Sequence, residues 1–165
     1  GEILEKVNQL WPHSSTIQGN SMNQNNSQQC PDMVLGCIPG ILFADHMAFI
    51  HAVRAGIPGY WLASVIQSSG AGEGIAKALG VTPKQLDAMC QIEALDIRTS
   101  EAVLEIARVL SSCFAVWESL VLADQWLKSE VPALGDETPV SLLDTHEGRR
   151  WVMDVLRKIE GGQFS

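Results

Sequence analysis

Between Thr99 and Trp117 the apolar residues Val103, Leu104, Ala107, Leu110, Phe114 and Trp117 return at every third or fourth position. That period fits a helix and excludes a strand, whose two faces alternate residue by residue. Thr99 and Ser100 offer a cap at its start. The same period runs through most of the chain. After the turn signal Pro39-Gly40, the residues Ile41, Leu42, Ala48, Phe49 and Val53 line one helix that Gly56 closes. Pro58 suits the first turn of another, which carries Trp61, Leu62, Val65 and Ile66 inward. Alternation of β-branched residues is absent nearly everywhere, so the expected fold class is all-α.

The first forty residues read differently. Ile3, Leu4, Val7, Leu10 and Trp11 give a short amphipathic helix over Glu2 to Trp11, stopped by Pro12. From Ser14 to Gln29, fourteen of sixteen residues are Ser, Thr, Asn, Gln or Gly. Such a stretch buries too little apolar surface to offset its ordering entropy and is expected to be a linker or long loop. The expected organisation is residues 1–40 as helix and linker, 41–117 as a helical region, and 118–165 as a second small helical domain. An amphipathic helix with an uncovered face points to a homodimer.

With 46% hydrophobic residues in a chain of 165, a packed core is expected over most of the length. Glu2 to Trp11 lacks the long apolar core of a secretory signal, and no apolar run reaches the length of a membrane span, so the expected compartment is the cytoplasm. A net charge of −8 opposes nucleic-acid binding over the whole surface, and any contact with DNA needs a local basic patch. The four cysteines are expected as reduced thiols. Cys30, Cys37, His46 and His51 fit no common zinc spacing, so no metal and no cofactor are expected.

The glycine burst in YWLASVIQSSGAGEGIAKALG (Tyr60 to Gly80) fails as a dinucleotide loop. From Gly70 and Gly72 the third glycine position falls on Ile75, and from Gly72 and Gly74 it falls on Lys77. The stretch reads better as a helix, a joint, and the first arm of a helix-turn-helix over Glu73 to Gln91. Gly80 makes the turn, Thr82 caps the second arm, Pro83 takes its first position, and Ile75, Ala76, Leu79, Val81 and Leu86 point inward. A purely architectural helix pair has the same pattern. The outward residues available to DNA are Lys84, Gln85 and Gln91. From Glu73 to Arg98, three basic residues face four acidic ones, which weighs against operator binding.

From Ala123 the chain reads ADQWLKSEVPALGDETPVSLLDTHEGRRWVMDVLRKIEGG. Pro132 to Gly135 make a turn, Thr138 caps a short helix from Pro139, and a last helix carries Trp151, Val152, Val155, Leu156 and Ile159 on one face. Arg149, Arg150, Asp154, Arg157 and Lys158 lie largely off that face. Trp126 and Trp151 read as core anchors.

This segment resembles the C-terminal toxin-binding domain of the Xre/MbcA/ParS antitoxins. The matching residues are Trp126-Leu127, Pro132-Ala133-Leu134-Gly135, Thr138-Pro139, Leu142-Leu143-Asp144-Thr145, Gly148, Val152, Leu156, Ile159 and Gly161. Residues 56 to 117 fit more loosely the helix-turn-helix region that precedes this domain in the family. The resemblance implies an all-α, helix-turn-helix-containing region followed by a small helical toxin-binding domain. It further implies a non-catalytic antitoxin of a type II toxin-antitoxin pair. Its partner would be a RES-domain toxin that consumes NAD or transfers ADP-ribose from it, and the antitoxin would cover the toxin's cleft. Family members carry an arginine-rich segment where this chain has Gln85-Leu86-Asp87-Ala88-Met89-Cys90, a departure that bears on autorepression of the operon. The alternative is a helix-turn-helix transcription regulator without a toxin partner.

On that resemblance the toxin-contact set is Arg149, Arg150, Arg157, Lys158 and Glu160 with the tail residues Gln163, Phe164 and Ser165. The plainer reading of Arg157 and Lys158 is that they favour the negative end of their own helix. No nucleophile stands at recognisable spacing from a base, so an enzyme is not expected.

Overall fold

Helix α6 (Ile97–Trp117) is apolar on most of its circumference. Val103, Leu104, Ile106, Ala107, Val109, Leu110 and Cys113 are each at most 1% exposed, which makes it the central element that other helices must cover. The structure, a computed structural model, describes residues 33–162. The expected helix over Glu2 to Trp11, the polar stretch with Cys30, and the tail Gln163 to Ser165 lie outside the described residues. The fold is all-α apart from a two-stranded hairpin.

That hairpin pairs β1 (Met33–Val34) with β2 (Ile38–Pro39), with Val34 opposite Ile38. Its turn needs positive φ at Leu35 and Gly36. Leu35 tolerates this conformation because its side chain is buried and its carbonyl accepts hydroxyls from Ser64 and Ser68 of α3. The helices that follow are α1 (Ile41–Ala44), α2 (His46–Ala55), α3 (Gly59–Ser69), α4 (Gly72–Leu79) and α5 (Pro83–Met89). After α6 come α7 (Leu120–Leu127), two short 3-10 turns at Pro132–Leu134 and Pro139–Asp144, and α8 (His146–Glu160). Helix α6 touches α2, α3, α4, α7 and α8.

Three local details differ from the sequence expectation. The expected single helix from Ile41 to Val53 is broken at Asp45, which takes extended dihedrals and caps α2 by accepting from the Ala48 N–H at 2.8 Å. The cap of α6 is Asp96, not Thr99 or Ser100. Ser100 is instead fully buried inside the helix, where its hydroxyl accepts from Ile57 N and donates to Leu95 O, tying α6 to the connections before α3 and after α5. Thr138 precedes its 3-10 turn as expected, but only its carbonyl is used, by Ser141.

The helix pair α4–α5 forms as its residues suggest. Gly80 turns the chain at φ 67°. Thr82 and Gln85 complete a reciprocal capping box, and Pro83 starts α5. Ile75, Ala76 and Leu86 are buried. The pair is held from both sides. A Cβ on Gly59 would run into the carbonyls of Met89 and Ile92, and Gly59 N donates to Ile92 O at 2.8 Å, so α3 starts against the end of α5. On the other side α4 packs on the 3-10 turn Pro139–Asp144, with Gly74 leaving room for Val140.

Candidate functional site

Helix α8 starts where Thr145 accepts from Gly148 N at 3.0 Å. Gly148 is required there, because any Cβ would overlap the Leu142 carbonyl of the preceding turn. Val152, Val155 and Leu156 face the core against α6. The solvent face then carries Glu147, Arg150, Trp151, Asp154, Arg157 and Lys158. Arg150 lies 3.9 Å from Glu147 and Arg157 3.3 Å from Asp154, both in loosely held, solvent-exposed ion pairs.

Two residues of this helix sit opposite to expectation. Arg149 is 9% exposed and belongs to the buried face. Its Nε donates to Leu143 O at 2.8 Å and its Nη1 to Glu105 Oε2 at 3.0 Å. The other Glu105 oxygen lies 2.8 Å from His146 Nδ1, so one carboxylate of α6 holds two residues of the first turn of α8, while Arg149 ties that turn to the one before it. Trp151 is 41% exposed and stands on the solvent face instead of anchoring the core. Helical arithmetic carried the signal. Arg149 precedes Leu156 by seven residues and Val152 by three, which places it on the buried stripe, whereas Trp151 falls roughly 100° away from Val152. Trp126 does pack inward, tilted against Trp117 at a ring separation of 6.1 Å.

Of the remaining expected contact residues, Arg150, Arg157, Lys158 and Glu160 are exposed on α8. Gln163, Phe164 and Ser165 lie outside the described residues. On the helix pair, Lys84, Gln85 and Gln91 are all exposed, but the Gln85 side-chain carbonyl is committed to the Thr82 N–H at 2.9 Å. They stand more than a helix away from the α8 set in sequence, and Lys77 of the first arm is already paired with Glu73 at 3.0 Å.

A feature that no sequence pattern announced is a groove of about 510 Å³ between α1, α2, α6 and α8, extended by a smaller recess of about 120 Å³. Arg108 and Arg157 line both parts. The Arg108 guanidinium lies 5.5 Å from the Phe43 ring centre and 5.1 Å from that of Phe49. Among the described residues there is no cluster of three or more metal-ligating side chains, and no helix is long and apolar enough to cross a membrane.

Residues 112–162 match the family described as the antitoxin Xre/MbcA/ParS C-terminal toxin-binding domain. The match begins inside α6 and takes in α7, both 3-10 turns and α8. The chain is also 32% identical over 82 residues to a protein of Sphingobium sp. (strain YBL2) named Prs ADP-ribosylating antitoxin. That alignment covers 44% of this chain and 52% of the relative, so the chain spans about half the length of the protein it matches.

Proposed function

We propose, from the membership of residues 112–162 in the Xre/MbcA/ParS toxin-binding family, that this chain is an antitoxin whose α8 face binds a cognate RES-domain toxin. The observation that carries this reading is the division of α8 into a core face and a solvent face bearing Arg150, Trp151, Arg157 and Lys158. Exposed Trp and Arg are the residue types that dominate binding energy when a partner desolvates them. Cations there also suit a cleft shaped for the pyrophosphate of NAD, which such an inhibitor would cover. The chain acts in this reading as a non-catalytic inhibitor and as a homodimer in the cytoplasm.

The test is an NAD-consumption assay of a RES-domain toxin with and without this chain. Inhibition by the full chain, lost on deleting residues 157–165 and weakened about tenfold or more by Trp151→Ala, is the expected outcome. Neutralisation that survives both changes removes α8 from the interface.

A second activity, operator binding through α4 and α5, is favoured by one observation: the turn at Gly80 and the capping box present Lys84 and Gln91 on the open side of the second arm. A gel shift on the upstream DNA that is unchanged in a Lys84→Glu, Gln91→Glu double variant would dispose of it.

A further inference from the structure

The Arg108 guanidinium lies over two aromatic rings of the groove, those of Phe43 and Phe49. Stacking uses the faces of a guanidinium and leaves its in-plane N–H edge free to meet a carboxylate in a two-point contact. Among the described residues, Arg108 has neither a hydrogen-bond acceptor nor an ion-pair partner. The acids around it are engaged elsewhere: Glu105 with His146 and Arg149, Asp154 with Arg157, and Asp45 with the Ala48 N–H. In a chain of net charge −8, a half-buried arginine with no acceptor among the described residues, beside Arg157 in a groove whose own acids Asp45 and Glu105 are engaged, is a locally unbalanced positive charge.

We infer that Arg108 is an anchor for a carboxylate borne by an amphipathic acidic segment of a protein partner, which lies in the groove between α2, α6 and α8. The walls argue for protein over nucleic acid. Phe49, Ile50 and Met153 line the groove with the cation and offer apolar surface, and Ile50 is 36% exposed. The adjoining recess adds Arg149, Arg150 and Arg157, but each of these lies beside an acid (Glu105, Glu147 and Asp154), so the site offers no row of unpaired cations of the kind a phosphate backbone needs. A strand or helix with glutamates among leucines matches both features. The inference rests on the toxin-binding reading only in taking the toxin as the owner of that segment, because the groove shares Arg157 with the exposed face of α8.

The experiment follows the Arg108 Nε–Hε resonance of the isotope-labelled full chain by NMR. Titrants are a synthetic peptide alternating glutamate and leucine, the same peptide with glutamine for every glutamate, inorganic phosphate, and a short DNA duplex. The expected result is a saturable shift with the glutamate peptide alone, and an affinity about tenfold or more weaker in Arg108→Lys, followed there by the backbone amide resonances of Phe49 and Met153 because lysine keeps the charge but has neither the fork nor the Nε–Hε signal. Equal binding of the glutamine peptide overturns the inference, as does saturation by phosphate or duplex at lower concentration than the peptide. The wild-type titration needs no variant, so a misfolded one leaves the outcome readable. Capture of a RES-domain toxin separates the two readings. If the wild-type chain captures none, the proposed function falls and the titration still decides the groove. If Arg108→Gln captures it as well as wild type, the toxin is not the groove's partner and the proposed function stands.

Discussion

Arg149 Nη1 of α8 and Glu105 Oε2 of α6 meet at 3.0 Å with both side chains nearly closed to solvent. Because the same arginine also donates to Leu143 O, it fastens the last helix and the turn before it to the central helix. Arg149→Ala removes the buried partner of a largely desolvated carboxylate, leaving it only the exposed His146, and is expected to cost up to roughly 3–5 kcal/mol in urea unfolding. Replacing both partners at once, as Glu105→Leu with Arg149→Met, should recover most of that loss. Any loss of toxin binding in Arg149→Ala should accordingly follow the lost fold and disappear at lower temperature.

Two glycines separate a soft obstruction from a hard one. At Gly74 an added Cβ meets a Val140 methyl, which can move; at Gly148 it meets the Leu142 backbone carbonyl, which cannot. Each Gly→Ala change is expected to destabilise by about 1–3 kcal/mol, with Gly148→Ala the worse. A second change, Val140→Ala, should rescue Gly74→Ala in part, and no side-chain change should rescue Gly148→Ala. Thermal melts of the set decide it.

Asp96 caps α6 at 2.7 Å from the Thr99 N–H, and that backbone hydrogen bond, more than any other influence, lowers its carboxyl below the ordinary range. A carboxyl with a lowered folded pKa stabilises fully above its unfolded pKa, about 3.9, and that share is lost as pH falls through the lowered folded value. Asp96→Asn, which still caps, should match wild type near pH 7 within a few tenths of a kcal/mol and lose less stability below about pH 4. Asp96→Ala should cost about 1 kcal/mol at pH 7. Denaturant midpoints measured from pH 7 down to pH 3 give both comparisons.

Burial pushes the Cys113 thiol up to about 12, on the side of α6 that faces α7. Thiolate is the reactive species, so at pH 8 Cys113 should react with iodoacetamide only through unfolding. Cys37 and Cys90, also raised by burial but half-exposed, should label first. Mass-spectrometric mapping of the modified peptides over time tests the order; early labelling of Cys113 would show that α7 leaves α6 readily.

The helices were legible because their causes are local. Spacing alone placed α6, and Gly80, Thr82 and Pro83 specified the turn and cap of the helix pair. The resemblance of residues 123–162 to an antitoxin domain was equally readable, since turns at Pro132–Gly135 and Thr138–Pro139 fix the lengths between the apolar positions. The break at Asp45 was missed because an N-cap aspartate within an unbroken apolar period looks like one polar residue on a helix surface. The small hairpin was missed because two-residue strands carry no period, and Leu35 is held at positive φ by burial of its side chain and by hydroxyls from α3, both of which come from distant sequence.

By itself, then, the sequence determined the helical character of most of residues 41–160, where the chain turns between α4 and α5, and the likeness of its last third to an antitoxin toxin-binding domain. Tertiary structure decided the partners of the charged and aromatic residues. Helical spacing puts Arg149 on the buried stripe of α8, but only the fold brings it Glu105 and the Leu143 carbonyl, distant in sequence or outside the helix, as acceptors that offset its desolvation. Arg108 became a cation of the groove because α1 and α2 bring the rings of Phe43 and Phe49 within 5.5 and 5.1 Å of its guanidinium. Helical periodicity is encoded within a few neighbouring residues, whereas the partner of a charge is chosen by packing across the whole fold.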